Sequence, residues 1–168
     1  FASQGGLHRF DGKNFTTYYS DPINQNSLNS DYIEDIYLDS EGVIWTTHWS
    51  GGGITAYYPD REVFIRYNNI PGDPESIISG ETGSIVEDAS GDIWIGGRRG
   101  LSRLNRESGN FKRYTHDPAD PHSLSDNEVR GLYVDNEGTL WVATGMPWTL
   151  DDNGGLNRYD PETDSFER

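Results

Sequence analysis

The sequence predicts an all-β fold of tandem four-stranded units, and three observations carry that prediction. A β-rich run followed by Asp-x-x-Gly, two residues and Trp occurs three times. The copies end at Trp45, Trp94 and Trp141, which fall 49 and 47 residues apart. A second pattern, Gly followed by an aliphatic residue, starts at Gly6, Gly53, Gly100 and Gly155, with spacings of 47, 47 and 55. No stretch sustains the 3.6-residue apolar period of an amphipathic helix. A four-stranded antiparallel unit repeated every 40–50 residues or so is the sequence signature of β-propeller blades.

Each unit is justified in turn by its strands and turns. In the second copy strand A is expected over 33–38, and the Asp39-Ser40-Glu41-Gly42 turn reverses the chain into strand B over 43–47. Asp at the head of such a turn can bind backbone amides, and Gly at its end supplies positive φ. The same turn recurs with Asp88 and Gly91, and with Asp135 and Gly138. A Gly-rich loop leads to strand C over 54–58, and Pro59-Asp60-Arg61 turns the chain into strand D over 64–67. A thin sheet has no core of its own, so neighbouring sheets must bury its faces. The repeated Trp45, Trp94 and Trp141 are therefore read as packing residues between blades.

The copies divide the chain into a partial blade over 1–19 (end of strand B, strands C and D) and blades over 20–67, 68–114 and 115–168. The last carries a B–C loop insertion near 145–153. Closed propellers take roughly four to eight blades, and an open arc leaves apolar faces uncovered. The expectation is an incomplete arc of a larger, seven-bladed propeller, with the remaining blades of the same ring as its first partners.

Composition narrows the function. The net charge is −15, which opposes nonspecific nucleic-acid binding and docking on an anionic membrane. There is no cysteine, which removes disulfides, thiolate metal sites and Cys nucleophiles. Aromatic residues make up 12%, which argues against disorder. No phosphate loop, nucleophile elbow or paired acid–base motif is present.

The stretches Asn26-Ser27-Leu28-Asn29-Ser30 and His122-Ser123-Leu124-Ser125-Asp126-Asn127, with Gly-x-Leu-Trp-Val at 138–142 and Gly-Gly-Leu-Asn-Arg-Tyr-Asp-Pro at 154–161, resemble the two-component regulator propeller repeat. The blade over 68–114 departs from it with Ser76-Ile77-Ile78-Ser79. That resemblance implies the extracytoplasmic sensor part of a bacterial hybrid histidine kinase or related membrane-anchored receptor, periplasmic or extracellular, and without catalysis of its own. Receptor dimerisation is a further partner expectation. Streptogramin lyases share the Asp-x-x-Gly-x-x-Trp skeleton, so a lyase with His48 as base is one alternative. A protein-interaction propeller is another.

Positions that depart from the repeat are free of its packing duties. The B–C loops, at 2–5, 47–53, 96–100 and 144–155, differ most and are expected on one face with the D–A loops. They hold the candidate ligand residues His48, Trp49, Arg98, Arg99, Met146, Trp148, Asp151 and Asp152. Aromatic faces beside forked cations and carboxylates suit a carbohydrate or peptide ligand. The four histidines lack ligand spacing. Neither Asp117, Asp120 and Asp126 nor the 151–153 stretch has the spacing of an EF-hand. No cofactor is expected, calcium on one of these stretches being the alternative.

Overall fold

The computed structural model describes residues 1–146 and 154–168. Its strands are β1 (Ala2–Ser3), β2 (Gly6–Phe10), β3 (Phe15–Tyr18), β4 (Ile36–Leu38), β5 (Ile44–Thr47), β6 (Ile54–Tyr58), β7 (Val63–Tyr67) and β8 (Thr82–Glu87). They continue with β9 (Ile93–Gly97), β10 (Gly100–Leu104), β11 (Phe111–Tyr114), β12 (Val129–Val134), β13 (Leu140–Thr144), β14 (Gly155–Asp160) and β15 (Ser165–Glu167). β1–β3 make a three-stranded sheet, and β4–β7, β8–β11 and β12–β15 make four-stranded sheets. Each is an antiparallel meander in chain order. Among the described residues there is no helix. The fold is thus all-β propeller blades, four sheets in an open series.

The predicted strand A over 33–38 is shorter, reduced to Ile36–Leu38. The cause is an irregularity at its entry, where Glu34 N–H donates to Thr47 O at 3.0 Å and Thr47 N–H to Asp35 O at 3.0 Å. The equivalent entries of β8 and β12 carry register shifts at Thr82/Ser84 and Val129/Gly131. Strand B begins at Ile44 and strand D at Val63, each one residue from expectation.

The repeated turn does more than reverse the chain. Asp39 Oδ1 accepts the N–H groups of Glu41 and Val43 at 3.0 and 2.8 Å, while Oδ2 accepts the Trp45 indole N–H at 2.7 Å. Asp88 and Asp135 repeat this with Trp94 and Trp141, at 2.7 and 2.8 Å. Gly42, Gly91 and Gly138 all sit at φ between 81° and 86°, where a Cβ is disfavoured. The Asp and Trp of the motif are therefore one hydrogen-bonded unit, which pairs the only N–H of a ring that packing would otherwise strand.

Between sheets the core is aromatic and aliphatic. Trp45, Val43 and Ile54 pack against Ile77, Ile85, Ile95 and Phe111 of the following sheet. Trp94 and Leu101 pack against Leu124, Val129, Tyr159 and Phe166. At each interface the end of strand C and the start of strand D form a facing pair, such as Tyr57 stacked on Phe64 at 4.4 Å. This pair meets the preceding sheet's aromatic, as Tyr18 meets Phe64 at 5.4 Å and Tyr114 meets Phe166 at 5.5 Å. Trp45 and Trp94 are fully buried as inter-blade packers, whereas Trp141 is half-buried on the far face of the fourth sheet.

The Ser-Leu-Ser stretch also gains a physical account. Leu28, Ile77 and Leu124 are buried plugs between sheets. The next backbone N–H, on Asn29, Ile78 or Ser125, donates to Thr55, Ser102 or Asn157 of strand C, at 3.1, 3.1 and 2.8 Å. A strand-D arginine then forks onto the D–A loop: Arg66 onto Asp21 O and Ser27 O, Arg113 onto Asp73 O and Ser76 O, Arg168 onto Asp120 O and Ser123 O.

Candidate functional site

The D–A and B–C loops share one face of the arc. In the second blade the B–C loop runs from Thr47 to Gly53, where β5 hands over to β6. His48 opens it but does not face solvent, for it is fully buried. Its Nδ1–H donates to Tyr32 O at 3.2 Å, and Nε2 lies 3.2 and 3.1 Å from the hydroxyls of Thr46 and Thr55. Burial pulls its pKa down to about 4, so the ring is neutral at physiological pH. Expected on the ligand face, His48 lies instead inside the loop, where its ring holds the loop to strand C.

Trp49 points across to the third and fourth blades. Its indole lies over Gly83, where an added Cβ would stand 3.4 Å from the ring. The guanidinium carbons of Arg98 and Arg130 lie 5.7 and 4.9 Å from the Trp49 ring centre. Arg98 pairs with Glu81 at 3.2 Å and approaches Glu128 at 3.7 Å. Arg130 pairs with Glu128 at 3.1 Å and donates to Met146 Sδ at 3.0 Å. Trp49, Arg98 and Met146 are thus brought together across three blades. Trp148, Asp151 and Asp152 lie outside the described residues.

Arg130, Glu81 and Glu128 escaped the sequence reading because they lie at or before strand A rather than in a B–C loop. The signal that could have found them is register: Glu81 and Glu128 stand 47 residues apart, at one position of the repeat. Their charges balance those of Arg98 and Arg130, so this constellation is a neutral cross-brace between blades.

Arg99 is different. It occupies the two-residue turn between β9 and β10 and is exposed. Among the described residues no carboxylate lies within ion-pair distance of it. It opens on a cleft of about 310 Å³ between the second and third blades, lined by Gly51, Gly52, Asn68, Ser79 and Glu81. Part of the wall, Gly51 and Gly52, comes from the B–C loop, which is two residues longer between Trp45 and Gly53 than between Trp94 and Gly100. A cleft with one uncommitted guanidinium, an amide side chain and accessible glycine backbone can hold a small polar ligand by hydrogen bonds and a forked anion contact.

Among the described residues no group of three or more His, Asp or Glu is placed to hold a metal ion. Asp117, Asp120 and Asp126 instead accept the N–H groups of Ala119, His122 and Glu128 in their own turns. No described helix is long and apolar enough to cross a membrane.

Comparison with known proteins follows the same lines. No curated protein matches the chain. The extracellular domain of the hybrid two component system BT3049 from B. thetaiotaomicron is similar over 99% of this chain and 27% of its own length, at 23% identity and a TM-score of 0.65. Virginiamycin B lyase from Staphylococcus aureus is similar over 92% of this chain and 47% of its own, at 17% identity and a TM-score of 0.57. A streptogramin B lyase shares 18% identity over 88% of this chain and 44% of its own, with a TM-score of 0.52. The chain therefore spans less than half of each, and these likenesses speak for the propeller fold. The family model described as two component regulator propeller matches residues 123–146, the segment that holds the Ser123 plug loop and the Asp135–Trp141 turn. Residues 123–146 of this chain thus match the two component regulator propeller repeat, within an arc of β-propeller blades.

Proposed function

We propose that this chain is a sensing segment of an extracytoplasmic receptor, a non-enzymatic propeller arc that binds a small polar ligand, carbohydrate in the first instance, on its loop face. The observation that carries this reading is the cleft beside Arg99. Two other arginines of this face are paired, Arg98 with Glu81 and Arg130 with Glu128. At Arg99 a cation faces a polar cleft of about 310 Å³ in the least repetitive part of the fold. The matched sensor repeat supports the receptor setting.

We propose further blades of the same repeat as the covering partners of the arc's outer faces. Phe10 and Phe15 stack at 4.6 Å but are 51% and 63% exposed, whereas the equivalent Tyr57 and Phe64 are 2% and 8% exposed. A lyase reading gains no support from His48, whose neutral ring is enclosed.

The test is a thermal-shift and calorimetric screen of the receptor against neutral and uronic-acid oligosaccharides, with Arg99→Ala as the matched variant. The expected result is a ligand whose affinity falls about 10-fold or more in Arg99→Ala, the loss of one charge-assisted hydrogen bond of roughly 1.5–3 kcal/mol. A ligand bound equally well by Arg99→Ala would refute the cleft. A folded receptor that answers to none would refute the carbohydrate reading.

A further inference from the structure

The opposite face of the arc, formed by the A–B and C–D turns, carries a second feature. Between the second and third blades Arg106 crosses the interface. It donates to Asp39 Oδ2 at 2.9 Å, Glu41 at 3.2 Å, Glu87 at 2.8 Å and Gly91 O at 2.7 Å. Its guanidinium lies 6.0 Å from the Trp45 ring centre. Between the third and fourth blades the repeat places Asp88 where Asp39 stands, Gly138 where Gly91 stands and Pro161 where Arg106 stands. Proline has neither the charge nor the reach.

At that interface there is a cleft of about 440 Å³, lined among others by Asp88, Asp92, Arg103, Glu137, Tyr159 and Pro161. Asp88 Oδ2 accepts the Trp94 indole N–H, as Asp39 Oδ2 accepts that of Trp45, but among the described residues no arginine pairs with it. Two of Arg106's acceptors have no counterpart, since Ser90 and Val134 replace Glu41 and Glu87. Asp92 and Glu137 supply carboxylates to the same cleft instead. Arg103 is already engaged, with Asp92 at 3.7 Å, Tyr159 Oη at 2.9 Å and the Trp94 ring at 5.3 Å. It offsets one of three carboxylates. Burial, then the charge of Asp88, pushes the Asp92 carboxyl up, so an arriving cation would relieve a strained charge.

We propose that this inter-blade cleft binds a guanidinium group from outside the chain, seated on Asp88 and Glu137 as Arg106 is seated on Asp39 and Glu41 at the neighbouring interface. At the neighbouring interface the repeat supplies that guanidinium from within the chain. The net charge of −15 draws such cations in. The site lies at the other end of the strands from Arg99 and does not depend on the loop-face reading.

The indole N–H resonances report on it directly, because Trp94 donates to Asp88 and Trp45 to Asp39. Ethylguanidinium, titrated into ¹⁵N-labelled protein at constant ionic strength, is expected to shift the Trp94 signal saturably and leave Trp45 in place. Pro161→Arg should move the Trp94 signal without any added cation and abolish the response. Glu137→Lys, an exposed change that serves if Pro161→Arg fails to fold, should weaken it. A stronger response to an acetyl-Gly-Arg-Gly-amide peptide assigns the group to a protein arginine, and an equal one to a free guanidinium compound. No saturable shift, Trp94 and Trp45 moving together, or the same shift from tetramethylammonium would overturn the proposal.

Discussion

Replacing Arg106 with methionine removes one guanidinium and leaves the carboxylates it spans. Asp39 has no exposed side-chain surface and Glu87 is 9% exposed, so both lose a partner they cannot exchange for bulk water. Breaking a buried pair from one side costs about 3–5 kcal/mol. The leg to Glu41, which is 68% exposed, adds only about 0–1 kcal/mol. Arg106 itself keeps some solvent contact, which puts the expectation near the lower end, at about 3 kcal/mol. For a domain of this size that lowers the melting temperature by roughly 6–12 °C.

The pH dependence sharpens this test. Burial pushes the Asp39 carboxyl up, but the bonds from Trp45, Val43 and Arg106 outweigh it and hold its pKa below the ordinary value. A depressed carboxyl contributes stability above its unfolded pKa of about 3.9, and loses it as pH falls through the folded value. The Arg106→Met deficit should therefore be largest near pH 7 and narrow as the carboxyls protonate. Calorimetry or urea unfolding from pH 7 to pH 3 measures it. A cost under about 1 kcal/mol, or a deficit that stays flat across that range, would refute the argument that Arg106 holds buried charge between blades.

Further expectations concern the repeat itself. Trp94→Phe keeps the packing but deprives Asp88 of its indole donor, for a loss of about 1–3 kcal/mol in urea unfolding. Trp45→Ala also opens a cavity, at about 3–5 kcal/mol. Asp35 has its pKa raised, burial outweighing the N–H groups of Ile36 and Ile85, so its charge destabilises the fold above that folded pKa. Asp35→Ser, which installs the residue the repeat has at Ser84, should stabilise the protein at pH 7, the gain vanishing below the unfolded pKa. Arg113→Lys replaces a fork that reaches Asp73 O, Ser76 O and the Ser76 hydroxyl. It should speed amide exchange and proteolysis in the 70–78 loop, at a cost of about 1–2 kcal/mol.

The fold was legible because its signal is redundant. Asp39, Gly42 and Trp45 recur as Asp88, Gly91 and Trp94, and again as Asp135, Gly138 and Trp141, so one local reading is tested three times over. The candidate site was less legible. Adjacency in the sequence grouped His48 with Trp49 and Arg98 with Arg99, but neighbouring residues on a tight loop point in opposite directions. His48 turns under strand C while Trp49 crosses to Arg130, and Arg98 is spent on Glu81 while Arg99 meets the cleft.

From the sequence alone come the blade, its turns and the periodicity that stacks one blade on the next, since these depend on local backbone chemistry and on apolar positions repeated in register. Only the tertiary structure decides which charges are spent. Arg106 and Asp39 are 67 residues apart, and Arg103 and Tyr159 are 56 apart. A side chain's availability depends on what lies across the interface, which no single blade encodes.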